Sequence, residues 1–202
     1  MSIMILRSKK ARSFARSIHY SKVLDCVRTL MHRIVIKYKL TAKVTNAKEE
    51  FLKLHIGCGN KHFPGYINID IRKTKATDYV CSAIQLPFPD TSVGIIETCH
   101  LMEHLPRYDM PKALREWWQV LVPGGKLVIE CSDFDRTVEE YLEGNEERLN
   151  NIFGLRRFKG GAYLWGYNFF RLKKVLEKYG HEGVKQCTPQ DYHRIEEPCM
   201  RV

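Results

Sequence analysis

The 202-residue chain contains no Cys-x-x-Cys pair. Its seven cysteines (Cys26, Cys58, Cys81, Cys99, Cys131, Cys187, Cys199) are scattered, which argues against a zinc site and predicts mostly reduced, small core residues in a cytosolic setting. No apolar run approaches the roughly 20 residues that a membrane-spanning helix needs. Internal repeats and low-complexity tracts are missing as well. Acid is nearly absent from one end: residues 1–48 hold twelve Lys and Arg against Asp25 alone, so they carry +11 while the remainder carries −1. A secretory signal places its charges before the apolar run, whereas here Arg7, Lys9, Lys10, Arg12 and Arg16 follow Met1–Leu6.

What is present centres on Lys53-Leu54-His55-Ile56-Gly57-Cys58-Gly59-Asn60, followed by Tyr66-Ile67-Asn68-Ile69-Asp70. An apolar strand runs into two glycines, and a second apolar strand ends in a carboxylate. The glycines remove Cβ atoms that would hold a ligand off the backbone. Asp70, at the carboxyl end of the next strand, can take hydrogen bonds from a vicinal diol, as open α/β sheets do when they hold a ribose. The third glycine of a G-x-G-x-x-G fingerprint is missing, and Pro64-Gly65 forces a turn where the pyrophosphate-binding helix would run. A ribose-bearing cofactor without a pyrophosphate fits better than a dinucleotide. Only ten residues separate Gly59 from Asp70. A parallel crossover normally needs about a dozen or more, so the first crossover helix is expected to be absent or reduced to one turn.

From Val23, apolar residues recur at helical spacing (Val23, Leu24, Cys26, Val27, Leu30, Met31, Ile34, Val35) opposite Arg28, His32, Arg33 and Lys37, which predicts a basic amphipathic helix. Such a helix can pack on the body, lie on an anionic membrane surface or grip nucleic acid. The Ser- and Arg-rich, acid-free residues 1–24 also keep an organellar transit peptide open. Further strands are expected at Asp78–Cys81, Val93–Thr98, Lys126–Cys131 and Gly183–Cys187, with another beginning at Cys199–Val202. Met110, Ala113, Leu114, Trp117, Trp118 and Leu121 mark one face of a helix with Asp109 as N-cap and Pro111 in its first turn. Pro123-Gly124-Gly125 ends it, and the βαβ-type order argues for a mostly parallel sheet. Residues 134–152 read as helical and charged. Phe158–Tyr167 is aromatic and glycine-rich, either a mobile lid or a packed loop. Asn168 caps a last helix that presents Phe169, Leu172, Val175, Leu176 and Tyr179 inward and closes at Gly180.

The order of Leu54–Asn60, Ile67–Asp70, Leu86-Pro87-Phe88-Pro89-Asp90, Leu101-Met102-Glu103-His104-Leu105 and Val120–Leu127 resembles the class I S-adenosylmethionine-dependent methyltransferases, in particular their small bacterial-type members with a Gly-Cys-Gly-Asn motif. The resemblance covers about residues 52–188. It implies a Rossmann-like sheet, mostly parallel with one antiparallel strand, helices on both faces, and S-adenosylmethionine lying across the carboxyl ends of the first strands. Carried over by position, Gly57, Cys58, Gly59 and Asn60 line the methionine and ribose, Asp70 binds the ribose hydroxyls, Ser82 and Ala83 lie at the adenine edge, and Thr98 to His100 lie near the methionine part. The chain then divides into a basic arm, 1–48, and a methyltransferase domain, 49–202, with an aromatic insertion at about 153–168. Ser82 stands where the family usually has an acid, and a serine accepts a hydrogen bond without charge assistance. Gly94 stands where the family favours Asp.

His100-Leu101-Met102-Glu103-His104 spells H-x-x-E-H, a zinc-peptidase pattern, but Pro106 cuts short the helix that this chemistry needs, so no metal is expected. Methyl transfer from a sulfonium is an in-line displacement that the protein mainly aligns. A base is required only for a protonated nucleophile, and His100, His104, Asp133 and Asp135 are the candidates. The acceptor can be a small molecule, a carrier-bound glycan or RNA, and a non-catalytic binding module is the remaining reading.

Overall fold

The structure, a computed structural model, describes residues 51–156, 160–187 and 199–202. The expectations for the arm, for Phe158 and for Lys159 lie outside the described residues.

Among the described residues six strands form one sheet: β1 Leu52–Ile56, β2 Ile67–Asp70, β3 Tyr79–Val80, β4 Val93–Cys99, β5 Leu121–Ser132 and β6 Cys199–Arg201. Their spatial order is β3-β2-β1-β4-β5-β6, and every pairing is parallel except that of β5 with β6. The sequence therefore reverses direction beside β1, where connections run outward on both sides and leave a crevice at the strands' carboxyl ends. Leu54, Ile56, Ile69, Ile96 and Ile129 are almost completely buried, which explains why these short strands read as apolar runs.

The connection from β1 to β2 contains no helix. Asn68 makes up for it. Its side-chain oxygen accepts from the Phe63 amide at 2.8 Å and lies 3.1 Å from His55 Nδ1, while its Nδ2 donates to the Phe63 and Tyr66 carbonyls and to Asp78. Phe63 then stacks on His55 with ring centroids 3.7 Å apart, and Tyr66 donates its hydroxyl to Glu97 at 3.0 Å. The loop thus covers the polar side chains of β1 and β4 that a helix would otherwise overlie.

Helix α1 (Met110–Val120) buries Met110, Ala113, Leu114, Trp117 and Val120, and Trp117 anchors the loop after β3 by donating to the Ala83 carbonyl at 2.8 Å. Two details differ from the sequence reading. Trp118 is 54% exposed, being one residue further round the helix. Asp109 makes no cap hydrogen bond: its own backbone is helical, and its carboxylate accepts from Lys112 instead, at 2.8 Å. After α1, Leu121 pairs with Val93 and then Lys126 with Ile95, so Val122–Gly125 bulges out of the strand. Gly94 lies beside this bulge, and a Cβ there would meet the Phe51 Cβ at 3.0 Å, which accounts for the glycine.

The helical stretch after β5 is broken. Helix α2 (Phe134–Leu142) ends before Gly144, whose φ is 102°, and a short turn leads into α3 (Leu149–Phe153). Helix α4 (Phe169–Lys178) is capped by Asn168, which accepts from the Arg171 amide at 2.7 Å, and it buries Leu172 and Leu176. The strand expected over Gly183–Cys187 does not form. Its residues are exposed apart from half-buried Val184, and only Cys187 bridges Arg201, through an amide hydrogen bond of 2.8 Å. The antiparallel strand is β6, locked by Arg201, which reaches Glu97 at 2.6 Å and Glu130 at 3.2 Å.

Candidate active site

The carboxyl ends of β1 and β2 form the first half of the site. Gly57 and Gly59 both have positive φ, at 76° and 54°. The Gly57 and Cys58 amides both donate to the Ile69 carbonyl, at 2.8 and 2.9 Å, which folds the loop back across β2. That brings the Gly59 amide to Asp70 Oδ2 at 2.8 Å. The Arg72 amide takes Oδ1 at 2.8 Å, and its guanidinium takes the same oxygen more loosely at 3.3 Å. A carboxylate offers about four lone-pair sites, so one remains for a hydroxyl, and the longer Arg72 contact is the one that can yield. The Gly59 carbonyl accepts from Thr74, whose hydroxyl is bonded to Thr77 at 2.8 Å. Cys58 is buried, with its sulfur 3.8 Å from the Thr77 hydroxyl, and burial pushes its thiol pKa up. Asn60 is exposed.

The two glycines have different reasons. A Cβ on Gly57 would lie 3.0 Å from the Leu101 Cβ on a backbone with φ of 76°, so crowding and conformation together favour glycine there. A Cβ on Gly59 would find only an Arg72 nitrogen at 3.9 Å, so the space above Gly59 is open to a ligand. Ser82 and Ala83 follow β3 in a turn, with the Ser82 hydroxyl 3.4 Å from the Ile84 amide and the Ala83 carbonyl held by Trp117.

The carboxyl ends of β4 and β5 form the second half. Thr98 is fully buried, and its hydroxyl at the end of β4 has no hydrogen-bond partner among the described residues. His100 has φ 50°, unusual for a residue with a side chain. Its Nδ1 lies 3.0 Å from Glu103 Oε1 and its Nε2 lies 3.5 Å from Cys199 Sγ. The same Glu103 oxygen accepts from the Ser132 amide at 3.1 Å. Burial opposes a charge on His100, but the Cys199 sulfur and the Glu103 carboxylate outweigh it and hold its pKa up at about 11. Burial likewise opposes ionisation of Glu103, and His100 outweighs it, so that carboxyl lies below its usual range. The pair is ionised at neutral pH. His100 is therefore a proton holder and not a free base.

The other base candidates are also engaged. His104 donates Nδ1 to the Ala162 carbonyl at 2.9 Å and packs edge-on to Tyr163. The two histidines of H-x-x-E-H thus serve separate partners. Asp133 caps α2 with a long 3.5 Å contact to the Arg136 amide, and Asp135 accepts from Asn168 at 2.6 Å. Asp133 and Asp135 each accept one hydrogen bond, Asp133 the looser of the two.

The aromatic segment is packed over its described residues, 160–167. The Leu164 and Trp165 amides donate to the Glu103 carbonyl at 2.6 and 3.3 Å, and the guanidinium groups of Arg107 and Arg171 lie over the Trp165 ring at 4.9 and 5.6 Å. Sequence reasoning missed Arg72, Cys199 and the role of Glu103. Only the i, i+3 spacing of His100 and Glu103 offered a signal. A cavity of about 810 Å³ lies elsewhere, at the amino end of β5, lined by residues including Trp118, Val122, Leu176 and His181.

Comparison with known proteins bears on the fold that carries these residues. Residues 63–129 match the family model of a methyltransferase domain, a segment running from the loop before β2 into β5. No curated protein sequence matches the chain. Among solved structures, a SAM-dependent methyltransferase from Methanosarcina mazei is 16% identical, with a TM-score of 0.53 over 78% of this chain and 93% of its own. A SAM-dependent methyltransferase from Archaeoglobus fulgidus is 18% identical, with a TM-score of 0.50 over 76% of this chain and 71% of its own. At these identities the structural likeness concerns the fold: the sheet is that of the Rossmann-like methyltransferases. The fold is thus that of the S-adenosylmethionine-dependent methyltransferases, and residues 63–129 resemble a methyltransferase domain. No helix among the described residues is long and apolar enough to cross a membrane.

Proposed function

We propose that S-adenosylmethionine lies across the carboxyl ends of β1, β2 and β4, and that its methyl group goes to a small or carrier-bound acceptor. The observation that carries this reading is the Gly59 amide closed onto Asp70, where the nearest atom to a Cβ at Gly59 is a guanidinium nitrogen of Arg72 at 3.9 Å. In this reading Asp70 accepts from the ribose hydroxyls, Gly57 to Asn60 border the ribose and methionine, Ser82 and Ala83 border the adenine, and Thr98 offers its hydroxyl to the methionine part. The bound cofactor supplies the electrophilic methyl group, and the chain supplies alignment. With His100 held in its ion pair, the acceptor is one whose nucleophile carries a lone pair at neutral pH, or one deprotonated by Asp133.

Calorimetry of S-adenosylmethionine and S-adenosylhomocysteine with the wild type and Asp70→Ala tests the pocket. Micromolar binding that the substitution weakens by about 1–3 kcal/mol is the expected result, the scale for stranding a hydrogen-bonding group. No binding by the folded protein overturns the reading and favours a non-catalytic module. An RNA acceptor is the second reading, favoured by the +11 of residues 1–48. It predicts binding that falls steeply with salt, whereas a glycan acceptor near a membrane predicts retention on anionic vesicles. The scattered cysteines suit a cytosolic protein, with the arm at a membrane surface in the vesicle-binding case.

A further inference from the structure

We propose that Cys199 is a reactive thiol, activated by His100 and aimed at small electrophiles of the hydroperoxide class. The described cysteines fall into two groups. Cys58, Cys99 and Cys131 are buried, and burial pushes the thiols of Cys81 and Cys99 up to about 12 and that of Cys131 well up, so they are inert packing. Cys187 is exposed, and among the described residues its sulfur meets the Lys185 carbonyl, at 3.9 Å, and no imidazole. Cys199 alone among the described cysteines faces an imidazole. It is half-buried, at the carboxyl end of the sheet opposite Ser132, with His100 Nε2 at 3.5 Å.

The arrangement behind that imidazole is fixed. Glu103 holds His100 Nδ1, so the proton on the far nitrogen points at sulfur, and the Ser132 amide fixes Glu103 in turn. The ammonium of Lys61 lies within electrostatic reach of the same sulfur. Nucleophile, imidazole and carboxylate in line form the arrangement that activates cysteines in unrelated folds. With a hydroperoxide, the Cys199 thiolate attacks one peroxide oxygen and the O–O bond breaks. The departing oxygen takes the His100 Nε2 proton and leaves as water or an alcohol. Sulfur is oxidised by two electrons to a sulfenic acid, the peroxide is reduced, and His100 regains its proton from solvent.

The full chain carries its own control in Cys187. Pulse labelling with iodoacetamide at pH 7, read peptide by peptide by mass spectrometry, is expected to modify Cys199 roughly tenfold faster than Cys187, although Cys187 is the more exposed. Hydrogen peroxide followed by dimedone is expected to place the adduct on Cys199. In His100→Asn, Cys199 is expected to fall to the Cys187 rate or below while Cys131 stays protected. If Cys131 becomes reactive the variant has lost its fold, and Glu103→Gln, which keeps the side-chain shape, serves as the second variant with the same expectation of slowing. Cys199 slower than Cys187 in the wild type, or unchanged in a folded variant, overturns the proposal.

Discussion

The two halves of the site are built by opposite means. At the ends of β1 and β2, Gly59, Asp70, Arg72, Thr74 and Thr77 lie within a short stretch of chain and hold one another mainly through backbone amides and hydroxyls. At the ends of β4 and β5, His100, Glu103, Ser132 and Cys199 come together across 99 residues of sequence and rest on a buried ion pair. The first half is locally encoded and lightly charged, so its parts tolerate loss. The second depends on every partner, because a charge left unpaired in the interior cannot be rehydrated.

That contrast can be broken by mutation. Glu103→Leu strands the His100 imidazolium and is expected to cost about 3–5 kcal/mol in urea unfolding. Gly57→Ala places a Cβ against Leu101 at a φ of 76° and is expected to cost about 1–3 kcal/mol, with the site otherwise intact by circular dichroism. The pH dependence of stability separates the halves without a lesion. His100 is held above its ordinary value, so its contribution is complete below about 6.5 and is lost as pH rises toward about 11. Glu103 is held below its ordinary value of 4.5, so its contribution is present above that pH and is lost in acid. His100→Asn is expected to flatten the alkaline limb of the stability profile, and an unchanged limb would mean the pair is not ionised. The smallest effect belongs to Arg72→Ala. Its side chain is 39% exposed, so less than about 1 kcal/mol of stability is expected to go, with cofactor affinity preserved or raised as Asp70 Oδ1 is uncovered.

The same contrast explains what was legible. The glycine loop, Asp70, the missing crossover helix and the order of strands could be read because each is a short-range pattern of apolar runs and turn residues. Trp117 was placed inward by periodicity, but its neighbour Trp118 was not placed correctly, since a run of two tryptophans hides which side of the helix each takes. The Gly183–Cys187 strand was misassigned because a valine after a glycine turn passes for the start of a short strand although Val184 and Cys187, three residues apart, do not alternate, and only the pairing of β5 with β6 decides the matter. Cys199 gave no local signal at all. Its significance is a product of β6 lying beside Ser132, a contact that no window of sequence contains.

The helix-free crossover has a consequence for how the chain folds. Closing a ten-residue connection costs about 1 kcal/mol less in loop entropy than closing one three times as long. Asn68 rewards closure at once with bonds to Phe63, Tyr66 and Asp78. Parallel pairing is ordinarily slow because distant strands must meet before anything is gained. Here β1 and β2 form a parallel pair with nearly the locality of a hairpin, which makes them the natural nucleus onto which β4, β5 and finally β6 assemble.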